Sequence, residues 1–328
     1  MEEITNDQFQ NRIDLTELIQ SVEKIKTEIA KVIVGQQNMI ELLIASVLAN
    51  GHVLIEGVPG IAKTAIAKLL AKTISAQFSR IQFTPDLMPS DVLGTSMVNL
   101  SKSAFEFKKG PIFSNIVLID EINRAPAKTQ SALFEVMEER QITMDGQTYL
   151  MPPPFLVLAT QNPIEHEGTY RLPEAQLDRF LFKIEVQYPS LEEETAIISG
   201  FTNQKEKDRV ALVNPVLSGE KIIEYQDKVH LIHIEEKLVK YIAMLIQQTR
   251  KHPSILLGAS PRASLAILNS AKAFAAMAGR DFVTPDDIKR VVPHVLRHRL
   301  SLMPEKEMEG QTADVVVTQI INSVEVPR

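Results

Sequence analysis

With 328 residues, 45% of them hydrophobic and 23% charged, the chain can bury sizeable cores in two domains, and general disorder is excluded. The absence of cysteine excludes disulfides, thiolate metal ligands and a cysteine nucleophile. A net charge of −6 argues against general nucleic-acid binding, so we expect a protein or small-molecule partner.

The start of the chain and its apolar runs bear on location. The first ten residues, MEEITNDQFQ, are acidic and polar and lack the basic start and apolar core of a secretory signal. Apolar runs such as residues 116–119 have the length of strands and are far too short to span a membrane. We therefore expect a cytoplasmic protein without a membrane partner.

The first half of the chain alternates predicted helices with apolar strands. Apolar residues between 15 and 32 recur at helical spacing, and a second helix is predicted over 37–48. Strands that alternate with helices predict a parallel, doubly wound α/β sheet, whose ligands bind at the carboxyl ends of the strands. The predicted strands are 52–55, 80–83, 116–119, 155–159 and 182–186.

The sequence GVPGIAKT at 57–64 follows the first strand and opens a helix. It departs from the phosphate-binding pattern G-x-x-x-x-G-K-[ST] only at Ala62, where we expect helical dihedral angles without strain. In such a loop the backbone N–H groups bind phosphate, Lys63 neutralises its charge and the Thr64 hydroxyl binds Mg²⁺. The predicted nucleotide-binding residues are Gly57, Val58, Pro59, Gly60, Ile61, Ala62, Lys63, Thr64 and Ala65.

Polar side chains end two later strands. Asp120 and Glu121 close strand 116–119, which places Asp120 to hold Mg²⁺ and Glu121 to orient and activate a water. Asn162 follows the next strand and is placed to hydrogen-bond that water or the γ-phosphate, although Asn-Pro is also a turn signal. Taken alone, a glycine turn before a helix or a strand that ends in acids would not indicate a nucleotide site. Their order along the chain favours a site for ATP and Mg²⁺.

Two inserts and a helical second half complete the pattern. Residues 84–113, with alternation over 104–108, predict a loop with a hairpin, and 141–149 contain the hairpin turn Asp145-Gly146. Both are expected to project from the sheet. After Pro189 only helical patterns follow. The predicted domains are an α/β domain over 1–189 and a helical domain over 190–328.

Five segments, in this order and spacing, resemble the MoxR group of AAA+ ATPases. The resemblance runs from IVGQ at 33–36 to the helix near residue 300, and it includes the alanine before the lysine. It implies an AAA+ P-loop domain with a small all-α lid, and ATP with Mg²⁺ bound between them. The segments are GVPGIAKT, IVLIDEINRA, ATQNP, LPEAQLDRF and GASPRA.

The resemblance also implies an assembly and a purpose. Members hydrolyse ATP in a ring, expected to be a hexamer, and remodel or activate client proteins, often ones with a von Willebrand factor A domain. Residues 84–113 match the helix 2 insert of the family and 141–149 match its presensor 1 hairpin, so both would face the pore.

Arginines are the remaining assignments from the resemblance. The LDRF motif implies that Arg179 is an arginine finger reaching the neighbouring subunit, and GASPRA implies that Arg262 is the sensor 2 arginine of the lid. Both roles suit a guanidinium, which can pair with a phosphate as charge develops. The competing interpretation of Arg179 is a salt bridge within its own helix, to Asp178 or Glu174.

Several alternatives stay open. Arg171 and Arg124 are other candidates for the arginine that acts between subunits. A chelatase subunit that drives metal insertion shares both inserts, and a nucleic-acid motor would need basic hairpins, whereas the hairpin 141–149 contains Asp145 and no lysine. A binding module without turnover is disfavoured by Glu121. We expect solvated or capping histidines, and no zinc site, at the helical pairs His294/His298 and His230/His233.

Overall fold

Parallel strands form the centre of the protein in the computed structural model, which describes residues 13–58, 60–99, 103–162, 170–202 and 209–327. Within these ranges, one sheet has five strands in the order β2-β5-β8-β1-β9. The strands are β1 (Val53–Glu56), β2 (Phe78–Gln82), β3 (Gly94–Asn99), β4 (Ala104–Lys109), β5 (Ile116–Asp120), β6 (Gln141–Met144), β7 (Gln147–Leu150), β8 (Leu156–Gln161), β9 (Phe182–Glu185), β10 (Ile255–Leu257) and β11 (Ser301–Leu302).

The prediction of a parallel α/β sheet is confirmed, and each predicted strand of the sheet agrees with the structure to within two residues at either end. All residues of β5 are buried, because a central parallel strand is covered on both faces. β5 lies between β2 and β8, and β8 lies beside β1. The segments that follow β1, β5 and β8 therefore meet at one edge of the sheet.

Helices cover both faces of the sheet and form most of the second half of the chain. The expectation of helical patterns only after Pro189 is wrong at one place, because the short strands β10 and β11 pair there in antiparallel fashion. Each helix in the described ranges is too short or too polar to cross a bilayer. The helices are α1 (Thr16–Ala30), α2 (Gln37–Leu48), α3 (Lys63–Thr73), α4 (Pro89–Leu93), α5 (Ala127–Glu139), α6 (Glu174–Leu177), α7 (Leu191–Thr202), α8 (Gly219–His230), α9 (Glu236–Lys251), α10 (Pro261–Met277), α11 (Pro285–Leu296), α12 (Pro304–Met308) and α13 (Ala313–Ser323).

Alternate residues of β1 belong to two cores. Leu54 packs in a cluster with residues of α5, whereas Val53 and Ile55 pack in a larger cluster with α1, α2 and α3. The larger cluster also contains apolar residues of α8 to α11, so the helical second half shares a core with the α/β half. A buried hydrogen bond of 3.0 Å between the hydroxyls of Ser21 and Tyr225 crosses the same contact.

The two inserts form separate antiparallel hairpins, as predicted. β3 pairs with β4 and β6 pairs with β7, and neither pair joins the central sheet. Asp145 and Gly146 have φ of 51° and 76°, which is the geometry of a two-residue hairpin turn with positive φ at both positions. The hairpins touch each other, because the rings of Phe107 and Tyr149 lie 4.7 Å apart between centroids.

Candidate functional site

The polar motifs meet where the strands end, at what we call the carboxyl edge of the sheet. Gly57 follows β1, Asp120 ends β5, and Gln161 ends β8 just before Asn162. The Gly57 N–H donates to the Gln161 carbonyl at 3.3 Å, which ties the loop after β1 to the end of β8. The structure therefore brings the predicted loop, the acidic pair and Asn162 together, although they lie far apart in sequence.

The loop after β1 curls tightly before α3. A Cβ added at Gly57 would lie 2.5 Å from the Ile61 side chain and 3.0 Å from the carbonyl oxygen of Val186, so a larger residue would need both neighbours to shift. The Lys63 ammonium donates to the Gly57 carbonyl at 2.6 Å and so lies across the loop. The same loop and the first turn of α3 contain Val58, Gly60, Ile61, Ala62, Thr64 and Ala65, whereas Pro59 is outside the described residues.

Ala62 departs from its expected conformation. It precedes α3 with φ 62° and ψ 17°, in the left-handed region, so the expectation of helical dihedral angles without strain is wrong. Glycine adopts such angles freely, whereas a Cβ there costs about 1–2 kcal/mol. The alanine is tolerated at a cost in conformational energy.

We expect Ala62→Gly to raise the free energy of unfolding by about 0.5–1 kcal/mol, because relief of the left-handed strain exceeds the entropy cost of glycine. Urea denaturation measures this change. The matched control is Ala65→Gly in the first turn of α3, which should lower stability by about 1 kcal/mol because that residue is helical. Equal losses in both variants would contradict the strain at Ala62.

Asp120 is buried and already binds a cation from its own chain. The Arg80 guanidinium on β2 donates to one carboxylate oxygen at 2.6 Å, and the Thr160 hydroxyl donates to the other at 3.0 Å. Arg80 is not among the residues predicted for the site, because its only signal in the sequence is a charged residue in a short strand. A carboxylate that is 7% exposed needs such a partner, since an unpaired buried charge is costly.

Glu121 is held by groups on its side of the sheet. Its backbone N–H donates to the Thr160 hydroxyl at 3.0 Å, and its carboxylate accepts from the Gln82 amide at 2.7 Å. The Arg124 guanidinium lies 3.3 Å from the same carboxylate oxygen. Arg124 therefore lies at the carboxyl edge of its own subunit, where it forms an ion pair with Glu121.

Arg179 lies at the opposite side of the sheet, which we call the amino edge, where β1 and β9 begin. Leu181, two residues after Arg179, donates its N–H to the carbonyl of His52 at 2.7 Å, just before β1. Because β1 has four residues at about 3.3 Å each, about 13 Å of strand separates this edge from the loop that contains Lys63. Arg179 is therefore remote from the phosphate loop of its own chain.

Arg262 joins Arg179 at the amino edge. Its guanidinium donates to Oε1 of Glu138 at 2.6 Å, and the Arg179 guanidinium donates to Oε2 of the same residue at 3.4 Å. Glu138 is near the end of α5, two residues before Arg140, whose guanidinium donates to the carbonyl of Asn50 ahead of β1. A nucleotide between the α/β domain and the lid would thus not meet the Arg262 of its own subunit.

The competing salt bridge of Arg179 within its helix is not the observed pairing. Asp178 accepts from Arg299 at 2.7 Å and from the Ser260 hydroxyl at 2.8 Å, and Glu174 accepts from Ser301 at 2.9 Å. Arg299, whose side chain is only 3% exposed, was not predicted to take part in this contact. Within the LDRF motif, Asp178 therefore binds the lid, whereas Arg179 binds Glu138 and the Phe134 carbonyl.

Arg171 lines a cavity of about 630 Å³ together with Lys183 and Arg297. His298 lies in its wall, and its Nε2 donates to the Phe180 carbonyl at 3.0 Å. The expectation of a solvated or capping histidine is wrong there, because the lid packs over His298 and burial holds its pKa well below the usual range. In the described ranges no three potential metal-binding side chains cluster.

Comparison with known proteins places this geometry in a family. The family model described as ATPase family associated with various cellular activities (AAA) matches residues 52–182, and the AAA lid domain matches 247–320. Chaperone MoxR1 of Mycobacterium tuberculosis is 43% identical over 321 residues, covering 94% of this chain and 83% of the relative. The chain belongs to the MoxR family of AAA+ ATPases.

Two further relatives agree over the whole length. Uncharacterized protein YeaC of Bacillus subtilis is 48% identical over 304 residues, covering 93% of this chain and 94% of the relative. A protein of Cytophaga hutchinsonii with a crystal structure is 43% identical, with a TM-score of 0.88 over 95% of this chain and 97% of that one. The AAA+ domain and helical lid are thus the established architecture of this MoxR-family chain.

The carboxyl edge fits the nucleotide and the divalent cation that a MoxR-family ATPase implies. The buried Asp120 is already paired with a cationic group, the Arg80 guanidinium, so the position accepts positive charge. The Thr64 hydroxyl and the Asp120 carboxylate are oxygen ligands of the kind that Mg²⁺ prefers. Lys63 and the N–H groups at the start of the 11-residue helix α3 suit phosphate oxygens.

Proposed function

We propose that the protein hydrolyses ATP in a ring and uses the reaction to remodel or activate a client protein. The observation that carries this proposal is the separation of Lys63 from Arg179 and Arg262 on opposite edges of one sheet. An arginine that is directed away from its own phosphate loop can contact a nucleotide only at the loop of another subunit. Head-to-tail contact between identical subunits, repeated until it closes, gives a ring.

The chemistry at the carboxyl edge is hydrolysis of the terminal phosphoanhydride. Lys63 and the backbone of residues 57–64 hold the phosphates, and Asn162 orients the attacking water. Glu121 accepts a proton from that water as its oxygen bonds to the γ-phosphorus and the bond to the bridging oxygen breaks. Mg²⁺, held by Thr64 and Asp120, would offset the phosphate charge when bound.

Arg179 and Arg262 complete the neighbouring site in this proposal. Their guanidinium groups donate to the γ-phosphate of the adjacent subunit and stabilise the charge that develops there. Their side chains are 28% and 49% exposed, so an adjacent subunit can reach them. A hexamer is the ring expected from the family resemblance. Arg124 is less suited, because it lies beside Glu121 at the carboxyl edge of its own subunit. Arg171 is less suited, because it lines a cavity that also contains Glu56 and Gln161 from that same edge.

The client is proposed to contact the two hairpins. Apolar side chains on the first hairpin are exposed: Phe105 by 76%, Val98 by 56% and Met97 by 53%. Exposed apolar groups of this size are typical of protein-binding surfaces. Because Phe107 contacts Tyr149, the second hairpin would move with the first. A client with a von Willebrand factor A domain is the class that the family resemblance suggests.

The trans role of Arg179 is tested with mixed rings. Arg179→Ala and Glu121→Gln should each be nearly inactive alone, and a 1:1 mixture should recover about a quarter of the wild-type turnover. That fraction follows because half of the subunits keep Glu121 and half of those receive an intact arginine from their neighbour. Phosphate release measures the recovery, with ring size followed by light scattering.

The matched control mixes Lys63→Ala with Glu121→Gln. Both changes disable the carboxyl edge of the subunit that contains them, so no combination restores an intact site and turnover should stay low. Recovery of the first mixture but not of the second supports action between subunits. A first mixture that stays inactive although its rings remain intact would show that Arg179 does not act in trans.

A further inference from the structure

Glu138 divides its carboxylate between the two arginines of the amino edge. Oε1 accepts from Arg262 at 2.6 Å and Oε2 lies 3.4 Å from Arg179. We propose that Glu138 is a positioning residue that fixes the spacing of Arg179 and Arg262, so that both reach the nucleotide of the adjacent subunit together. This inference rests on the proposed trans role of the two arginines.

The backbones that bear the arginines are already fixed by other contacts. Asp178, beside Arg179, accepts from the Ser260 hydroxyl at 2.8 Å, and the Ser260 side chain in turn accepts from the Arg262 N–H at 3.2 Å. The lid and the α/β domain therefore hold the two Cα positions without Glu138. What they leave open is the direction of two long, flexible side chains with equal charge, which repel each other.

The single carboxylate of Glu138 can fix the directions of both arginine side chains. Each oxygen binds one guanidinium, so the negative charge between them offsets their repulsion and limits their directions. Arg179 has a second anchor one helical turn earlier, because its Nη1 donates to the Phe134 carbonyl at 2.9 Å. Both anchors belong to α5, so this helix sets the position of Arg179. Through Glu138 the same helix also directs Arg262.

The arrangement also connects the two edges within one subunit. A single turn of 3-10 helix, Ile122–Arg124, joins Glu121 to α5, which spans Ala127–Glu139. Thirteen helical residues at about 1.5 Å each extend about 20 Å, enough to reach from the carboxyl edge to the amino edge. Glu138, which positions the arginines, therefore lies on the helix that follows Glu121 of the same chain.

The test is Glu138→Gln, which keeps the shape but replaces one accepting oxygen with an NH₂ group that cannot accept from a guanidinium. We expect kcat for ATP to fall about tenfold through misplacement of the arginines. KM should stay within about twofold, because the loop that binds ATP is at the other edge. Glu139→Gln changes the next, exposed residue of α5 and should leave kcat unchanged.

A double-mutant cycle separates positioning from a general structural effect. In a chain with Arg179→Ala and Arg262→Ala, adding Glu138→Gln should lower kcat no further, because the residue acts only through those arginines. A further fall of similar size in that background would overturn the positioning role. Thermal unfolding of every variant, monitored in parallel, should show that all of them remain folded.

The remaining outcomes distinguish the two proposals. If the arginine variants keep full kcat, the trans role in the proposed function fails. If they lose kcat while Glu138→Gln keeps it, the trans role stands and the positioning role fails. A tenfold loss in Glu138→Gln that vanishes in the arginine-free background supports both.

Discussion

Glu121→Gln is expected to reduce ATP turnover by about 10²–10⁴-fold while ATP binding is retained, since that is the usual contribution of a general base. Glutamine has the same shape as glutamate and can still hydrogen-bond Gln82, which now contacts the carboxylate at 2.7 Å. It cannot accept a proton from water. Phosphate release measures turnover, and titration with a fluorescent ATP analogue measures binding.

The control for this prediction is Lys63→Ala, which removes the cation from the phosphate loop. It should lose ATP binding and turnover together, because the lysine neutralises charge in the ground state as well as in the transition state. If Glu121→Gln binds ATP without turnover and Lys63→Ala does not bind ATP, proton transfer is assigned to Glu121 and ATP binding to Lys63. Unchanged turnover in Glu121→Gln would remove the residue from the reaction.

Arg299→Met is expected to lower the free energy of unfolding by about 3–5 kcal/mol, the usual cost of leaving one partner of a buried ion pair uncompensated. The Arg299 guanidinium binds the Asp178 carboxylate at 2.7 Å and donates to backbone carbonyls of the α/β domain, including that of Phe180 at 2.6 Å. Without it, Asp178 keeps its charge at a position that is only 17% exposed. Urea denaturation measures the loss.

A surface ion pair of the lid provides the matched control. Lys306 and Glu309 are 2.7 Å apart in adjacent turns, and their side chains are 35% and 57% exposed. Lys306→Met should change stability by less than about 1 kcal/mol, because exposed pairs gain little over hydration. If Arg299→Met were no more destabilising than this control, Arg299 would not be the fastening between lid and α/β domain.

Local features of the chain were predictable from the sequence. The strands of the sheet, the loop before α3, the acidic end of β5 and the turn Asp145-Gly146 each depend on a few consecutive residues. Their signals are apolar runs, glycines at fixed spacing and residues that tolerate positive φ, which act over one turn or one strand. The order of the five motifs was enough to indicate the family, which the comparisons then showed.

Several features of the site were decided only by the tertiary structure. Arg80 reaches Asp120 across 40 residues, Arg299 reaches Asp178 across 121, and Arg262 reaches Glu138 across 124. None of these arginines has an acid within five residues in sequence, so local spacing does not predict its partner. The choice follows from which strands are neighbours and from where the lid docks.

The sequence by itself thus predicted which groups would carry the chemistry, and the fold determined the edge at which each group lies. Lys63 and Arg262 were both predicted to serve a nucleotide, yet one lies at the carboxyl edge and the other at the amino edge. Ala62 adopts its left-handed conformation between β1 and α3, at the position where the phosphate-binding pattern itself has glycine. Packing over the whole chain sets the edge at which each group lies, and no local pattern records it.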